Sequence, residues 1–146
     1  MKGRVKPKAA PATAGYSGTP LPKKLGIKEG SIVGLIGAPK EIKGILGALP
    51  AGVKLQREPR LPRPCDVVLC FAKQRKELVP RMKKAMRVSA DSGLWLIWPK
   101  KSSGVASDLS EDVVRNMGLA AGWVDFKVCA IDFTWSGHAF ARRGAK

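Results

Sequence analysis

The sequence predicts an α/β domain: a three-layer, Rossmann-like, mostly parallel sheet that ends in a C-terminal antiparallel hairpin. Three observations predict it. From Ser31 onward, short apolar runs alternate with stretches of helical periodicity, as strand-helix-strand units do. Two of those runs, Asp66 to Phe71 and Gly93 to Trp98, lack polar alternation, the pattern of strands covered on both faces. With 146 residues, 45% of them hydrophobic and including four Trp and four Phe, the chain can fill one core.

Taken in order, Ser31-Ile-Val-Gly-Leu-Ile-Gly37 reads as a strand, and Pro39 is placed where a helix begins. Glu41 to Leu49 is a short helix closed by Pro50, and Gly52 to Arg57 a second strand. Glu58 to Pro64 carries three Pro and two Arg and is expected to be extended, with no room for a helix. After the strand at Asp66 to Phe71, Gln74 to Ser89 is helical, with Pro80 expected to kink or restart it. The strand Gly93 to Trp98 is ended by Pro99, and Leu109 to Ala121 forms the next helix. Val124 to Asp132 and His138 to Arg143 are expected to pair as a hairpin around Ser136-Gly137.

Charge divides the chain. Residues 1–24 hold Lys2, Arg4, Lys6, Lys8, Lys23 and Lys24, four Pro and no acid, the composition of a basic flexible tail, which leaves 25–146 as the folded domain. The whole chain has a formal net charge of +16, and subtracting the tail's +6 leaves the domain at +10. Such a balance points to polyanionic partners, RNA or DNA first. No apolar run approaches the roughly 18 residues of a membrane span. Three Cys and a start without the apolar core of a secretory signal predict a cytoplasmic protein.

The basic residues fall into two groups. Lys73, Lys76, Lys83, Lys84 and Arg87 share one stripe of the helical wheel, opposite Leu78, Met82, Ala85 and Met86, and are the candidate nucleic-acid contacts. Lys40, Lys73, Lys100 and Lys101 follow the ends of the three clearest strands, where open α/β sheets bind ligands, and form a candidate anion site with the helix that starts near Asp108.

The other motifs point to little chemistry. Leu35-Ile-Gly-Ala-Pro-Lys40 occupies the place of a glycine-rich phosphate loop but retains only Gly37, so a degenerate or absent nucleotide site is the reading it supports. Glu58, about twenty residues on, stands where a ribose-binding acid belongs. Gly37 and Glu58 are thus the only cofactor-binding candidates, and no cofactor is expected. Cys65 and Cys70, an odd spacing apart on or beside one strand, are expected on opposite faces as inert thiols, so no metal site is expected. His138, the single histidine, has no Ser or Cys partner pattern and is placed near the hairpin turn, and no catalytic residue is assigned. Asp108-Leu-Ser-Glu111 has capping-box spacing at a helix start.

Several segments together resemble a bacterial family known as domain of unknown function 3052: Ala14 to Leu21 with Lys23 to Lys28, Trp98 to Ser102, Asp108 to Arg115, and Val124 to Ala130 with Trp135-Ser-Gly137. The resemblance implies a small cytoplasmic bacterial protein with a Rossmann-like core and no assigned activity. More remotely, the order of strands and helices is similar to the second half of class I methyltransferases, with Cys65 to Leu69 and Gly93 to Ile97 as matching strands. The loop reduced to Gly37 departs from that pattern and predicts no tight binding of S-adenosylmethionine. The leading expectation is therefore a non-catalytic module that binds RNA or DNA. The alternatives are a degenerate or divergent methyltransferase-like enzyme, and a scaffold protein without a ligand.

Overall fold

A computed structural model describes residues 19–60 and 64–144. The elements run α1 (Leu21–Lys24), β1 (Ile32–Ile36), α2 (Ile42–Leu46), β2 (Lys54–Arg57), β3 (Val67–Phe71), α3 (Arg75–Val88), β4 (Leu94–Pro99), a 3-10 turn (Lys101–Ser103), α4 (Glu111–Ala120), β5 (Trp123–Ala130) and β6 (Trp135–Arg142). They form one six-stranded sheet in the order β2-β1-β3-β4-β6-β5. The first four strands pair in parallel, β6 runs antiparallel between β4 and β5, and this reversed pair closes the sheet. The mixed α/β, mostly parallel architecture with an antiparallel C-terminal pair is the one the sequence predicts. Residues 1–18 of the proposed tail lie outside the described residues, while Leu21–Lys24, read with the tail, form α1.

Two apolar clusters lie on opposite faces of the sheet. On one, Leu78, Met82, Ala85 and Met86 of α3 and Val114 of α4 pack on Val68, Cys70, Leu96, Trp98 and Phe140. On the other, Leu25, Ile42 and Leu46 pack on Leu35, Leu69, Trp95 and Ile97. Every residue of β3 and β4 is buried, which accounts for their lack of alternation. Among the described residues, no helix is long and apolar enough to cross a membrane.

Four expectations are corrected. Pro80 lies inside α3, which runs unbroken from Arg75 to Val88, because the proline withdraws a single intrahelical N–H while the buried face continues on both sides of it. Ser136 and Gly137 lie within β6, paired with Trp98 and Ile97. The reversal falls at 131–134 instead, where Asp132 Oδ1 accepts from the N–H groups of Thr134 and Trp135 at 2.8 and 2.7 Å. This is an Asx-type turn that the Ser-Gly pair had obscured. Asp108 does not cap α4. Ser110 does, accepting from Val113 N, while Asp108 Oδ1 accepts from Arg75 N at the start of α3 (2.7 Å). Finally, Cys65 and Cys70 share one face of the sheet, because Cys65 precedes β3 and strand alternation does not reach it.

Glycines set the closest approaches. A Cβ on Gly118 of α4 would collide with the Phe140 ring of β6. Ala in place of Gly in an exposed helix would add up to about 1 kcal/mol of stability. At Gly118 overpacking of about 1–3 kcal/mol outweighs that gain, so Gly118→Ala is expected to lower the denaturation midpoint in urea with an unchanged slope.

Candidate functional site

The strand order reverses at β1, which has β2 on one side and β3 on the other. In open parallel sheets the crevice beyond the carboxyl ends of the strands at such a switch point is where ligands bind. Here that crevice is a cleft of 210 Å³ lined by Gly37, Ala72, Lys73, Glu77, Arg81 and Trp135.

Gly37 follows β1 with φ 65°, a left-handed conformation that suits glycine. A Cβ there would strike the Arg81 guanidinium and stand 2.7 Å from the Phe71 carbonyl oxygen. The turn is therefore a place where other groups approach bare backbone. Arg81, in the second turn of α3, donates from Nη1 to that same Phe71 oxygen at 2.7 Å and lies 4.0 Å from Glu77 Oε1. Glu77 is itself held at the start of α3, accepting from Lys73 N and Gln74 N at 2.8 and 3.3 Å. These two N–H groups and Arg81 draw its carboxyl below the usual value, against a smaller opposing effect of burial.

Glu58 arrives from the end of β2. It is the one non-glycine among the described residues with positive φ, at 49°. That turn folds Pro59 back over β1, where a Cβ on Gly34 would stand only 2.8 Å from the proline ring. It also turns the carboxylate toward the crevice. Glu58 Oε2 accepts from Gly37 N at 3.0 Å and Oε1 from Lys84 Nζ at 3.0 Å. Partial burial pushes this carboxyl up. The Gly37 N–H, the Lys84 ammonium and Arg81 together outweigh it, and the group sits below its ordinary value of 4.5. Arg57 completes the frame by donating to the carbonyls of Ala38 and Pro39 at 3.3 and 3.2 Å.

The two cofactor candidates of the sequence thus meet in one hydrogen bond. The candidate anion site does not assemble around the same cleft: Lys73 lines it, whereas Lys40, Lys100 and Lys101 do not. Lys100 N donates to Thr134 O and Lys101 opens the 3-10 turn, so that end of β4 is tied to the β5–β6 turn. Of the α3 stripe, Lys76, Lys83 and Arg87 are exposed with Lys73 before them, while Lys84 is turned to Glu58. Arg81 and Glu77 were missed as site residues. Arg81 falls between the basic stripe and the apolar face of α3, and that flanking position was the available signal. His138 lies buried in mid-strand rather than near the turn, with Nε2 3.1 Å from Asp125 Oδ2 and Nδ1 without a partner among the described residues.

Comparison with known proteins shows the fold. No protein-family profile and no curated protein matches the chain. Among solved structures, an S-adenosylmethionine-dependent methyltransferase from Aquifex aeolicus aligns with 82% of this chain and 86% of its own, at 16% identity and a TM-score of 0.58. A protein assigned as a type 11 methyltransferase from Sulfolobus solfataricus aligns over 86% and 91%, at 15% identity and TM-score 0.58. Magnesium protoporphyrin IX methyltransferase from Synechocystis PCC 6803, with S-adenosylhomocysteine bound, aligns over 84% and 81%, at 11% identity and TM-score 0.53. The chain has the Rossmann-like fold of these enzymes. That finding corrects the leading expectation of a non-catalytic, non-enzymatic RNA or DNA module, since the methyltransferase-like alternative agrees better with the fold.

The depressed Glu58 carboxyl makes a pH prediction. A carboxylate whose folded value lies below its unfolded one stabilises the protein above the unfolded value and loses that effect as pH falls through the folded one. The stability difference between the protein and Glu58→Gln is therefore expected to shrink as pH is lowered from about 5 toward about 3. Urea titrations of both proteins across that range check it, and a constant difference would refute it.

Proposed function

We propose that the chain is a divergent methyltransferase-like enzyme that binds the adenosyl and amino-acid parts of S-adenosylmethionine at the β1/β3 switch point. The single observation that carries this reading is the Glu58–Gly37 hydrogen bond, in which a glycine turn after β1 meets an acid from the end of β2. The donor set fits the ligand's ends. Arg81 and Lys73 line the cleft with cations for a carboxylate and Glu77 with a carboxylate oxygen for an ammonium, while Glu58, bonded to the cleft's Gly37, keeps lone pairs for ribose hydroxyls. The cleft of 210 Å³ is smaller than the roughly 300 Å³ at which small-molecule sites begin, and Arg81 lies over the glycine turn. Binding therefore requires Arg81 to release the Phe71 carbonyl, and a ligand carboxylate offers the guanidinium a charged acceptor in exchange.

When bound, S-adenosylmethionine supplies an electrophilic methyl group on sulfur. The chain's part is to bind and orient. Glu58 holds the sugar, Arg81 and Lys73 hold the carboxylate, and the apolar Trp135, packed edge-on against Phe71 at 5.1 Å between ring centroids, walls the cleft. We also propose kinship with the bacterial family of unknown function on the segments that suggested it, and a cytoplasmic location, supported by three unpaired buried cysteines.

Calorimetry with S-adenosylhomocysteine tests the reading. The protein is expected to bind it, and Glu58→Gln to bind roughly tenfold to a hundredfold more weakly, the loss of one charge-assisted hydrogen bond. Adenosine, without a carboxylate to take Arg81, is expected to bind more weakly than S-adenosylhomocysteine. No heat with either ligand at millimolar concentration would refute the proposal.

A further inference from the structure

A wider concavity than the crevice lies at the other end of the sheet, one strand length (about 17 Å for five residues) away. It is a groove of 600 Å³ between α1, the start of β1 and β3, and edge strand β5. On its floor Trp95 Nε1 donates to the Leu25 carbonyl at 3.1 Å, which ties the end of α1 to the sheet. Lys23, Lys24, Lys28 and Lys127 line it, and among the described residues none of the four forms an ion pair with a carboxylate. Lys127 is pre-positioned, since its Nζ donates to the Lys24 carbonyl at 2.8 Å. Two acids share the groove. Asp66 is exposed and accepts from Ile32 N at 2.8 Å, and Glu29 is exposed as well, so the four lysines outnumber the acids two to one.

An aromatic ring stands beside these cations. In β5, Asp125 pairs with Phe140 and Lys127 with the next residue, Ala139, so Phe126 is the extra residue of a β-bulge. The bulge lifts its side chain out of the ladder to 58% exposure at the groove. An exposed aromatic ring beside several lysines is the arrangement with which proteins hold unpaired bases and their phosphates. A duplex would present phosphates to the lysines but no base face to Phe126.

We propose that this groove docks a single-stranded nucleic acid segment, with phosphates on Lys24, Lys28 and Lys127 and a base stacked on Phe126. It is a docking site separate from the crevice and independent of the function proposed for it. It also lies on the opposite face of the sheet from the basic stripe of α3.

Fluorescence anisotropy of a labelled short oligouridylate with the full-length protein tests the proposal at about 50 mM salt and above. Phe126→Ala is expected to weaken binding about fivefold or more without changing the salt dependence. Lys28→Ala is expected to weaken it and to lower the salt slope by about one. Lys76→Ala and Lys83→Ala, on α3, are expected to change affinity less than twofold. Phe126→Leu, which keeps apolar bulk at the bulge but no stacking face, is expected to behave as Phe126→Ala, so a loss cannot be attributed to misfolding of the strand. Unchanged affinity in Phe126→Ala would overturn the proposal. So would equal losses from the α3 variants, equal competition by duplex or inorganic polyphosphate, or no binding at the lowest salt.

Discussion

Strand β1 and the turn that follows it lack a Cβ at two positions, Gly34 and Gly37, and the neighbourhood of the crevice is built on those gaps. At Gly34 the ring of Pro59 and the thiol of Cys65 come close enough that a methyl group would stand 2.8 Å from each. The chain leaving β2 can therefore lie directly on the sheet, where a helix would otherwise cover it. At Gly37 the same absence admits the Arg81 guanidinium. Between the two, Glu58 accepts the left-handed conformation that brings Pro59 down and its own carboxylate across to Gly37 N. Backbone strain of this kind persists only where the surroundings hold it, and here the Leu35 carbonyl, accepting from Glu58 N at 2.7 Å, and the Lys84 ammonium do so.

Part of the basic charge serves the fold itself. Arg57, Arg81, Lys127 and Arg142 each donate to main-chain carbonyls, of Ala38 and Pro39, Phe71, Lys24, and Met86 respectively. Arg142 also lies 4.6 Å from the centroid of the Trp123 ring. Cations thus satisfy carbonyls at loops and element ends that short connections leave without backbone partners. This structural use reduces how far a net charge of +16 can be read as evidence for a polyanionic partner. What points to such a partner is local, the lysines of the groove beside an exposed ring, rather than the overall sum.

The His138–Asp125–Arg115 chain illustrates the same economy on the C-terminal pair. Asp125 receives His138 Nε2 and Arg115 Nε on one oxygen, each at 3.1 Å. The histidine hydrogen bond leads in holding its carboxyl below the ordinary value of 3.8, burial opposes it, and Arg115 adds to it. The imidazole itself is packed between Trp98 and Phe140, 6.3 and 5.2 Å from their ring centroids. Its polar contact thus joins β6 to the edge strand β5 and, through Arg115, to α4. Its place inside the core excludes a role at the crevice.

The sequence by itself determined the sheet class and the strands of its parallel part. Runs such as Val67–Phe71 and Leu94–Trp98 are apolar at every position, rich in β-branched and aromatic residues and short, the pattern of a strand covered on both faces. It also contained both halves of the candidate site, Gly37 and Glu58, because spacing along a strand-helix-strand unit is a local property. Tertiary structure decided whether they meet. Glu58 reaches Gly37 through a positive φ that no propensity assigns to glutamate, and Arg81 enters the crevice from α3, far along the chain. Asp108 was legible as a cap but serves the helix that precedes it in the chain, since a carboxylate caps whichever unpaired N–H the fold brings within reach. The groove beneath α1 was likewise invisible in the sequence, because its lysines come from α1, the connection after it and β5, segments about a hundred residues apart that only the closed sheet places side by side.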